Sequence, residues 1–119
     1  MIIHSDDHIE VHVLDEKGAG GAHHRYSITR KEVDAEKGGK LELGLIDFQN
    51  GGIAENGVNG LTNEALLAIV SHRLECFQSG PFPCDENLFA LADAKSALLW
   101  LTKRTQKRKA RGVEGKTQT

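Results

Sequence analysis

Residues 60–112 have the sequence GLTNEALLAIVSHRLECFQSGPFPCDENLFALADAKSALLWLTKRTQKRKARG, which predicts a helical hairpin. In the first arm, residues 62–78, apolar side chains recur at helical spacing, and Thr62 precedes them as an N-cap. Ser79-Gly80-Pro81 ends this arm, because glycine favours the conformation that follows a helix and proline cannot continue one. The second arm contains no Gly or Pro until Gly112. It can reach about 27 residues and roughly 40 Å, against about 17 residues and 25 Å for the first.

The second arm is both too long and too apolar for a single partner helix. Its last two to three turns, from about residue 100 to 111, cannot be covered by the first arm and should lie in solvent or against another chain. Its apolar positions cover more than one stripe, and they are Leu88, Phe89, Leu91, Ala92, Ala94, Ala97, Leu98, Leu99, Trp100 and Leu101. We therefore expect one face to contact another copy of the protein, giving a dimer or a multiple of it.

The N-terminal half predicts β-strands at residues 7–14, 23–30 and 41–49. Residues 7–14 alternate apolar and polar side chains, and we interpret their His and Glu side as the solvent face of an edge strand. Residues 41–49 have no cleanly polar side, which predicts a central strand covered on both faces. After the Asn50-Gly51-Gly52 turn, residues 53–58 are a candidate fourth strand. Residues 33–40 form a polar connection.

Strands followed by helices predict an α+β fold, in which a small N-terminal antiparallel sheet precedes a C-terminal two-helix hairpin. At 119 residues the chain is expected to be one domain. Within it we expect a β-rich part at 1–59, the hairpin at 60–112 and a flexible tail at 113–119. No apolar run approaches the roughly 18 residues of a membrane helix, and the N-terminus is acidic where a signal peptide would be apolar. A cytoplasmic protein is expected.

Charge is distributed unevenly between the two halves. Residues 1–60 carry 11 acidic and 6 basic side chains, a net −5, whereas residues 61–119 carry 6 acidic and 9 basic, a net +3. The last 18 residues hold seven Lys or Arg and one Glu. Such a basic end indicates an anionic partner such as phosphate or nucleic acid. Alternatively, the Lys and Arg side chains are simply solvated at a helix C-terminus, where the macrodipole stabilises positive charge.

Motifs of catalysis and metal binding are absent from the sequence. It has no nucleophile elbow, GxxxxGK loop, HExxH or GxGxxG, and its glycine clusters fit turns better. The two cysteines, Cys76 and Cys84, form neither a disulfide framework nor a CxxC motif and are expected to pack as small apolar groups. His4, His8 and His12 share one strand face, but no spacing supplies further metal ligands. No cofactor or metal is expected, and a binding protein is favoured over an enzyme.

Three runs of the hairpin carry a resemblance: GVNGLTNEALL at 57–67, HRLECFQSGPF at 72–82 and ENL at 86–88, followed by Lys103-Arg104. They resemble the helical hairpin of the Thoeris anti-defence proteins of the first type, phage proteins whose hairpin is shared with the anti-CBASS proteins of the second type. The resemblance implies a sponge in the cytoplasm of the infected bacterium, which holds a signal of the glyco-cyclic ADP-ribose type without cleaving it. It also implies homodimers assembled into hexamers, and in some members a second site for cyclic di- or trinucleotides.

The resemblance assigns roles to three residues of the hairpin. Phe77 would stack on the adenine, Asn87 would hydrogen-bond the base or ribose, and Arg104 would contact the pyrophosphate. Each side chain suits its role, since an aromatic face stacks on bases, an amide donates and accepts, and a guanidinium forks onto phosphate oxygens. Without the resemblance, Phe77 is better interpreted as a core aromatic residue, Asn87 as a polar residue at a helix start and Arg104 as a solvated cation.

Distance adds a constraint on that site. Arg104 follows Asn87 by 17 residues of one predicted helix, roughly 25 Å, which one such nucleotide cannot bridge. Arg104 would therefore come from a second chain packed antiparallel. Arg25 and Tyr26 are candidates to close the pocket from the sheet. Thr62 and Asn63 are candidates for the second site, although simple helix capping explains Thr62 equally well.

Two other functions remain open at the sequence level. A nucleic-acid-binding protein would use the basic end of the second helix and would lose affinity steeply with salt. A phosphodiesterase that degrades the signal would need a metal or general-base signature, which the sequence lacks.

Overall fold

The computed structural model describes residues 1–31 and 41–112, in which an antiparallel sheet precedes the helices. The sheet contains β1 (Ile2–Ser5), β2 (Ile9–Val13), β3 (Arg25–Arg30) and β4 (Leu41–Asp47), paired in the order β1-β2-β3-β4. Three helices follow, α1 (Ile53–Asn56), α2 (Asn63–Ser79) and α3 (Asp85–Ala110). The predicted α+β fold, a small antiparallel sheet followed by a helical hairpin, is confirmed.

The places of two strands within the sheet differ from prediction. β2 is paired on both sides, with β1 and with β3, so its interpretation as an edge strand is wrong. β4 stands at the end of the strand order, and the prediction of a central strand is also wrong. Its odd-numbered leucines, Leu41, Leu43 and Leu45, are exposed. The sequence-based strands also omit β1, because four residues are too few to show a period-two pattern.

Residues 53–58, the candidate fourth strand, do not pair with the sheet. Residues 53–56 form α1 between Gly52 and Gly57. Amide side chains close this loop: Gln49 Nε2 donates to Gly51 O at 3.1 Å and to Gly57 O at 2.8 Å, and Gln49 Oε1 accepts from Asn59 N at 2.9 Å. Backbone hydrogen bonds of α1, from Asn56 N to Gly52 O and from Gly57 N to Ile53 O, also satisfy groups that a fourth strand would have paired with β4.

The helical hairpin agrees closely with its prediction. α2 has 17 residues and begins after Thr62, whose Oγ1 accepts from Ala65 N at 3.1 Å, and α3 has 26 residues. The unequal lengths are confirmed, since nine residues make α3 about 14 Å longer. Both cysteines are exposed, so their packing as small apolar groups is wrong. Cys84 is instead the N-cap of α3, where its Sγ accepts from Asn87 N at 3.4 Å.

The chain divides into two compact units, Met1–Gly60 and Leu61–Thr119. The expectation of one domain remains a prediction. Two expectations fall outside the described residues: the polar connection at residues 33–40 and the flexible tail at residues 113–119. Among the residues that are described, no helix is both long and apolar enough to cross a membrane.

Candidate functional site

The turn between α2 and α3 brings two of the predicted site residues to one end of the hairpin. Gly80 N donates to Phe77 O at 3.3 Å and ends α2, while Gln78 Oε1 accepts from Cys84 N at 3.1 Å. Gln78 therefore ties the last turn of α2 to the first residue before α3. Phe77 and Asn87 lie on either side of this link, one on the last turn of α2 and the other on the first turn of α3.

Aromatic surface is exposed at this end of the hairpin. Phe77 is 46 % exposed and Phe82, within the turn, is 83 % exposed. The guanidinium of Arg73 lies 5.3 Å from the centre of the Phe77 ring, a cation–π contact. Sequence reasoning missed Arg73, although its i, i+4 spacing to Phe77 on α2 is a detectable signal. The turn thus presents an accessible ring beside a fixed positive charge, which suits a base joined to phosphate.

Asn87 and Arg104 lie far apart along α3. Asn87 is half-buried, and Arg104 is exposed on the part of α3 that extends beyond the length of α2. Since both belong to one continuous helix, their separation is about 25 Å, as the sequence predicted. One chain therefore does not bring Arg104 to Phe77 and Asn87.

Arg104 lies on a basic surface along the last three turns of α3. This surface is open to solvent and is formed by Trp100, Lys103, Arg104, Lys107, Arg108, Ala110 and Arg111. Trp100 is 64 % exposed, and Lys103 Nζ lies 4.8 Å from the centre of its ring. Arg108 is buried, at 8 % exposure, whereas Lys103, Arg104 and Lys107 are exposed. A flat ring beside several cations can bind a stacked, anionic ligand.

The two candidates in the sheet are held by strand contacts. Arg25 Nε lies 3.3 Å from Asp47 Oδ1 across the β3–β4 pair. Tyr26 is half-buried and packs edge-to-face against Phe48, with ring centres 5.7 Å apart. Both side chains therefore have structural contacts within the N-terminal unit. Their predicted role in closing a pocket has no support in these contacts and stays a prediction.

Thr62 and Asn63 lie at the N-terminus of α2. The hydroxyl of Thr62 already accepts from Ala65 N, so the capping interpretation accounts for its side chain. A second oligonucleotide site at this helix end stays a prediction.

Asp15 forms several hydrogen bonds with the residues at the start of β3 and just before it. Its carboxylate accepts from His24 N at 2.9 Å and from Arg25 N at 3.1 Å, and its carbonyl oxygen lies 2.8 Å from His23 Nδ1. The backbone N–H of His24 is the main cause that lowers the pKa of Asp15. This network holds the β2–β3 connection in place. Within residues 1–31 and 41–112, no three His, Cys, Asp or Glu side chains are grouped to hold a metal.

Comparison with known proteins places the hairpin in a family. Residues 42–106 match the family described as Acb2/Tad1, hairpin domain, over more than half of the chain. The chain belongs to this family. The matched span contains Thr62, Asn63, Phe77, Asn87 and Arg104, and it excludes Arg25 and Tyr26. The expected resemblance to Thoeris anti-defence proteins is thereby confirmed.

A relative supports the same assignment. The chain is 47 % identical over 74 residues to the protein named Thoeris anti-defense 1 of Bacillus phage SBSphiJ7. The aligned segment is 62 % of this chain and 52 % of the relative, so the chain spans about half the length of the Acb2/Tad1 relative it matches.

Proposed function

We propose that this protein is a phage anti-defence protein that binds a cyclic ADP-ribose signal of the glyco-cyclic type and sequesters it without degrading it. The observation that carries the proposal is the family match over residues 42–106, which includes Phe77, Asn87 and Arg104. The name of the Bacillus phage relative supports the anti-defence role. The ligand would act in the cytoplasm of an infected bacterium, where the protein would lower its free concentration.

The chemistry of the exposed residues supports a nucleotide as the ligand. Phe77 offers an accessible ring with Arg73 at 5.3 Å, which suits a base, and Arg104 lies among cations that suit a pyrophosphate. The described residues hold no group of acidic, His and Cys side chains for a metal-assisted hydrolysis. We therefore propose binding without catalysis.

The 25 Å between Asn87 and Arg104 requires two chains at each site. In the proposed homodimer, Phe77 and Asn87 of one protomer face the partner's Arg104, and the two-fold axis creates two such sites. Three dimers would form a hexamer. Thr62 and Asn63 would then contribute to a separate site for cyclic di- or trinucleotides.

Identification of the captured molecule tests the proposal. The purified protein is incubated with candidate cyclic nucleotides, freed of unbound ligand and heat-denatured, and the released molecule is identified by mass spectrometry. Release of an intact cyclic ADP-ribose species is expected. Release of a linear or hydrolysed product would indicate an enzyme, and release of nothing from any candidate would reject the sponge.

A second candidate function is nucleic-acid binding by the end of α3, favoured by the exposed Trp100 beside Lys103, Arg104 and Lys107. A single strand could stack on the indole while its phosphates contact the cations. This function predicts affinity for oligonucleotides that falls steeply as salt rises, in contrast to capture of a small cyclic nucleotide. Trp100 is the only tryptophan in the chain, so its fluorescence reports this surface directly.

A further inference from the structure

Asn–Gly pairs occur three times in the sequence, and all three lie in the segment between β4 and α2. They are Asn50-Gly51, Asn56-Gly57 and Asn59-Gly60. In such a pair the backbone nitrogen of the glycine can attack the side-chain carbonyl carbon of the asparagine, because glycine has no Cβ to hinder the approach. The sequence alone predicts three equivalent positions for deamidation, and the structure distinguishes between them.

In the Asn56-Gly57 pair, both groups that would react are held by hydrogen bonds. Asn56 Nδ2 donates to Gly52 O at 3.1 Å, and Gly57 N donates to Ile53 O at 2.8 Å at the end of α1. The first bond holds the amide that would leave, and the second holds the nitrogen that would attack. Ring closure would require both bonds to break, so the folded chain protects this pair.

The Asn59-Gly60 pair is held by a different set of contacts. Asn59 Oδ1 accepts from Asn50 N at 2.8 Å, and Asn59 Nδ2 donates to Asn50 O at 2.8 Å. Rotation of the Asn59 side chain towards Gly60 N would break both hydrogen bonds. Gly60 itself packs so closely that a Cβ on it would collide with the backbone of Phe48. This pair is therefore protected as well.

The Asn50-Gly51 pair lacks such contacts. Asn50 is exposed, and neither its side-chain amide nor the N–H of Gly51 forms a hydrogen bond within the described residues. Asn59 binds only the backbone N and O of Asn50, so the side chain of Asn50 can rotate without breaking either bond. Gly51 also has a φ of 81°, a conformation that residues with a Cβ rarely adopt.

We propose that Asn50 is the site at which this chain deamidates spontaneously. The Gly51 nitrogen forms a bond to Asn50 Cγ and loses its proton, and the side-chain nitrogen leaves as ammonia, which closes a succinimide ring. Water then opens the ring at either carbonyl and leaves aspartate or isoaspartate. The net reaction consumes water, releases ammonia and replaces a neutral amide by a carboxylate, without an enzyme or an oxidant.

The isoaspartate product changes the backbone that Asn59 binds. The main chain then runs through the former side chain of residue 50 and is longer by one carbon, while the former backbone carbonyl becomes a carboxylate. Asn59 can no longer pair with residue 50 in the present geometry. The new charge also adds to a net charge of −5 on residues 1–60. Deamidation should therefore loosen this loop and make the protein more acidic.

Peptide mapping of the full-length protein tests the proposal, with Asn56 and Asn59 as internal controls. The folded protein is aged at mildly alkaline pH in water labelled with heavy oxygen, and samples are digested in acid, where the reaction is slow. Label should enter residue 50 several-fold faster than residue 56 or 59. In urea the three rates should become similar, because unfolding removes the hydrogen bonds that hold Asn56 and Asn59. Equal rates in the folded protein, a faster reaction at Asn56 or Asn59, or a reaction only in urea would each overturn the proposal.

Asn50→Gln is the matched variant, because its longer side chain would have to close a larger and less favourable ring. It keeps a neutral amide at this position and should form no acidic species on ageing, whereas wild type should. Gly51→Ala is unsuitable, since a Cβ there would collide with the amide of Asn56. An acidic species of equal yield in Asn50→Gln would place the modification elsewhere.

Urea unfolding measures the effect on the loop. Aged wild type should unfold at a lower urea concentration than fresh wild type, whereas Asn50→Gln should not change on ageing. Aged wild type that unfolds like the fresh protein would contradict the loss of the contact between residue 50 and Asn59. Neither measurement depends on the capture of a nucleotide, so both are independent of the proposed function.

Discussion

At the residue scale, the candidate site depends on Phe77, whose ring is accessible although the helical pattern alone suggested a core position. It is 46 % exposed because it stands on the last turn of α2, where the chain leaves the helix at Gly80. Its partner Arg73 lies one turn earlier on α2 and holds the charge beside the ring. A side chain at a helix end can therefore have helical spacing and still be exposed.

Phe77→Ala is expected to weaken capture of the cyclic nucleotide by about 1 to 3 kcal/mol, because it removes the stacking surface. Isothermal titration calorimetry measures the loss. Ile69→Ala, on an exposed residue two turns earlier on α2, is the matched control and should keep wild-type affinity. Equal affinity of the Phe77→Ala variant and the wild type would remove Phe77 from the site.

Asp15 gives the N-terminal unit a predictable pH dependence. Its folded-state pKa is lowered, chiefly by the N–H of His24, so its carboxylate stabilises the fold at pH values above the unfolded-state pKa. This contribution is lost as the pH falls through the lowered folded-state pKa. Wild type should therefore be more stable than Asp15→Asn near neutral pH, and the difference should shrink on acidification.

Chemical unfolding from neutral pH to below the carboxyl range measures this effect. Asp7→Asn, an exposed carboxylate in the β1–β2 connection, controls for the loss of one negative charge. A stability difference between wild type and Asp15→Asn that stays constant with pH would contradict the role of the carboxylate in the β2–β3 connection.

At the element scale, the hairpin is held by a small contact surface between α2 and α3. Leu91 is the only buried apolar side chain among the described residues, and Ser71 of α2 is buried in the same unit. An ion pair also joins the helices, with Lys95 Nζ at 2.7 Å from Glu75 Oε1, and Lys95 lowers the pKa of Glu75. Since both side chains are about half exposed, this pair adds little stability compared with Leu91.

Leu91→Ala is expected to lower the free energy of unfolding by about 2 to 5 kcal/mol, because it leaves a cavity between the two helices. Urea unfolding at a fixed protein concentration measures the change, since association would otherwise shift the midpoint. Ile69→Ala, at 64 % exposure on α2, should cost much less. Equal losses for the two variants would show that Leu91 does not lie in the stabilising contact.

At the scale of the whole molecule, the described residues bury few side chains, and the longest helix keeps an exposed apolar face. Large exposed hydrophobic side chains occur on β1 and β4 as well as on α2 and α3. Exposed apolar surface of this extent usually marks an interface. The assembly, and not the single chain, is therefore the expected unit of function.

Subunit mixing tests which chain supplies which group. Phe77→Ala and Arg104→Ala should each weaken capture in homodimers, and the Arg104→Ala variant should lose about 1.5 to 3 kcal/mol of binding free energy because a charge-assisted contact is removed. In a heterodimer of the two variants, one site carries both defects and the other carries neither, so half of the heterodimer sites should capture ligand. Differently tagged chains and mass spectrometry show whether exchange occurs. Exchange without recovered capture would place both residues within one chain.

The sequence by itself determined the hairpin and its family. Helical spacing, the Thr62 cap and the Ser79-Gly80-Pro81 stop are local signals, and α2 and α3 follow from them because helix formation depends on neighbouring residues. The continuity of α3, and hence the distance from Asn87 to Arg104, depends equally on local signals.

Tertiary structure decided what depends on partners distant in sequence. Strand order is one example. β2 lies inside the sheet because β1 pairs with it, and β4 lies at the edge because residues 53–58 do not pair with it. No local pattern specifies either pairing. Exposure is another example. Helical spacing predicts buried positions for Leu91 and Phe77 alike. Packing against α2 buries Leu91, whereas Phe77 is exposed because it lies at the end of the hairpin. Leu88, Phe89, Leu99 and Trp100 of α3 are exposed for the same reason, since α2 packs against another side of the helix.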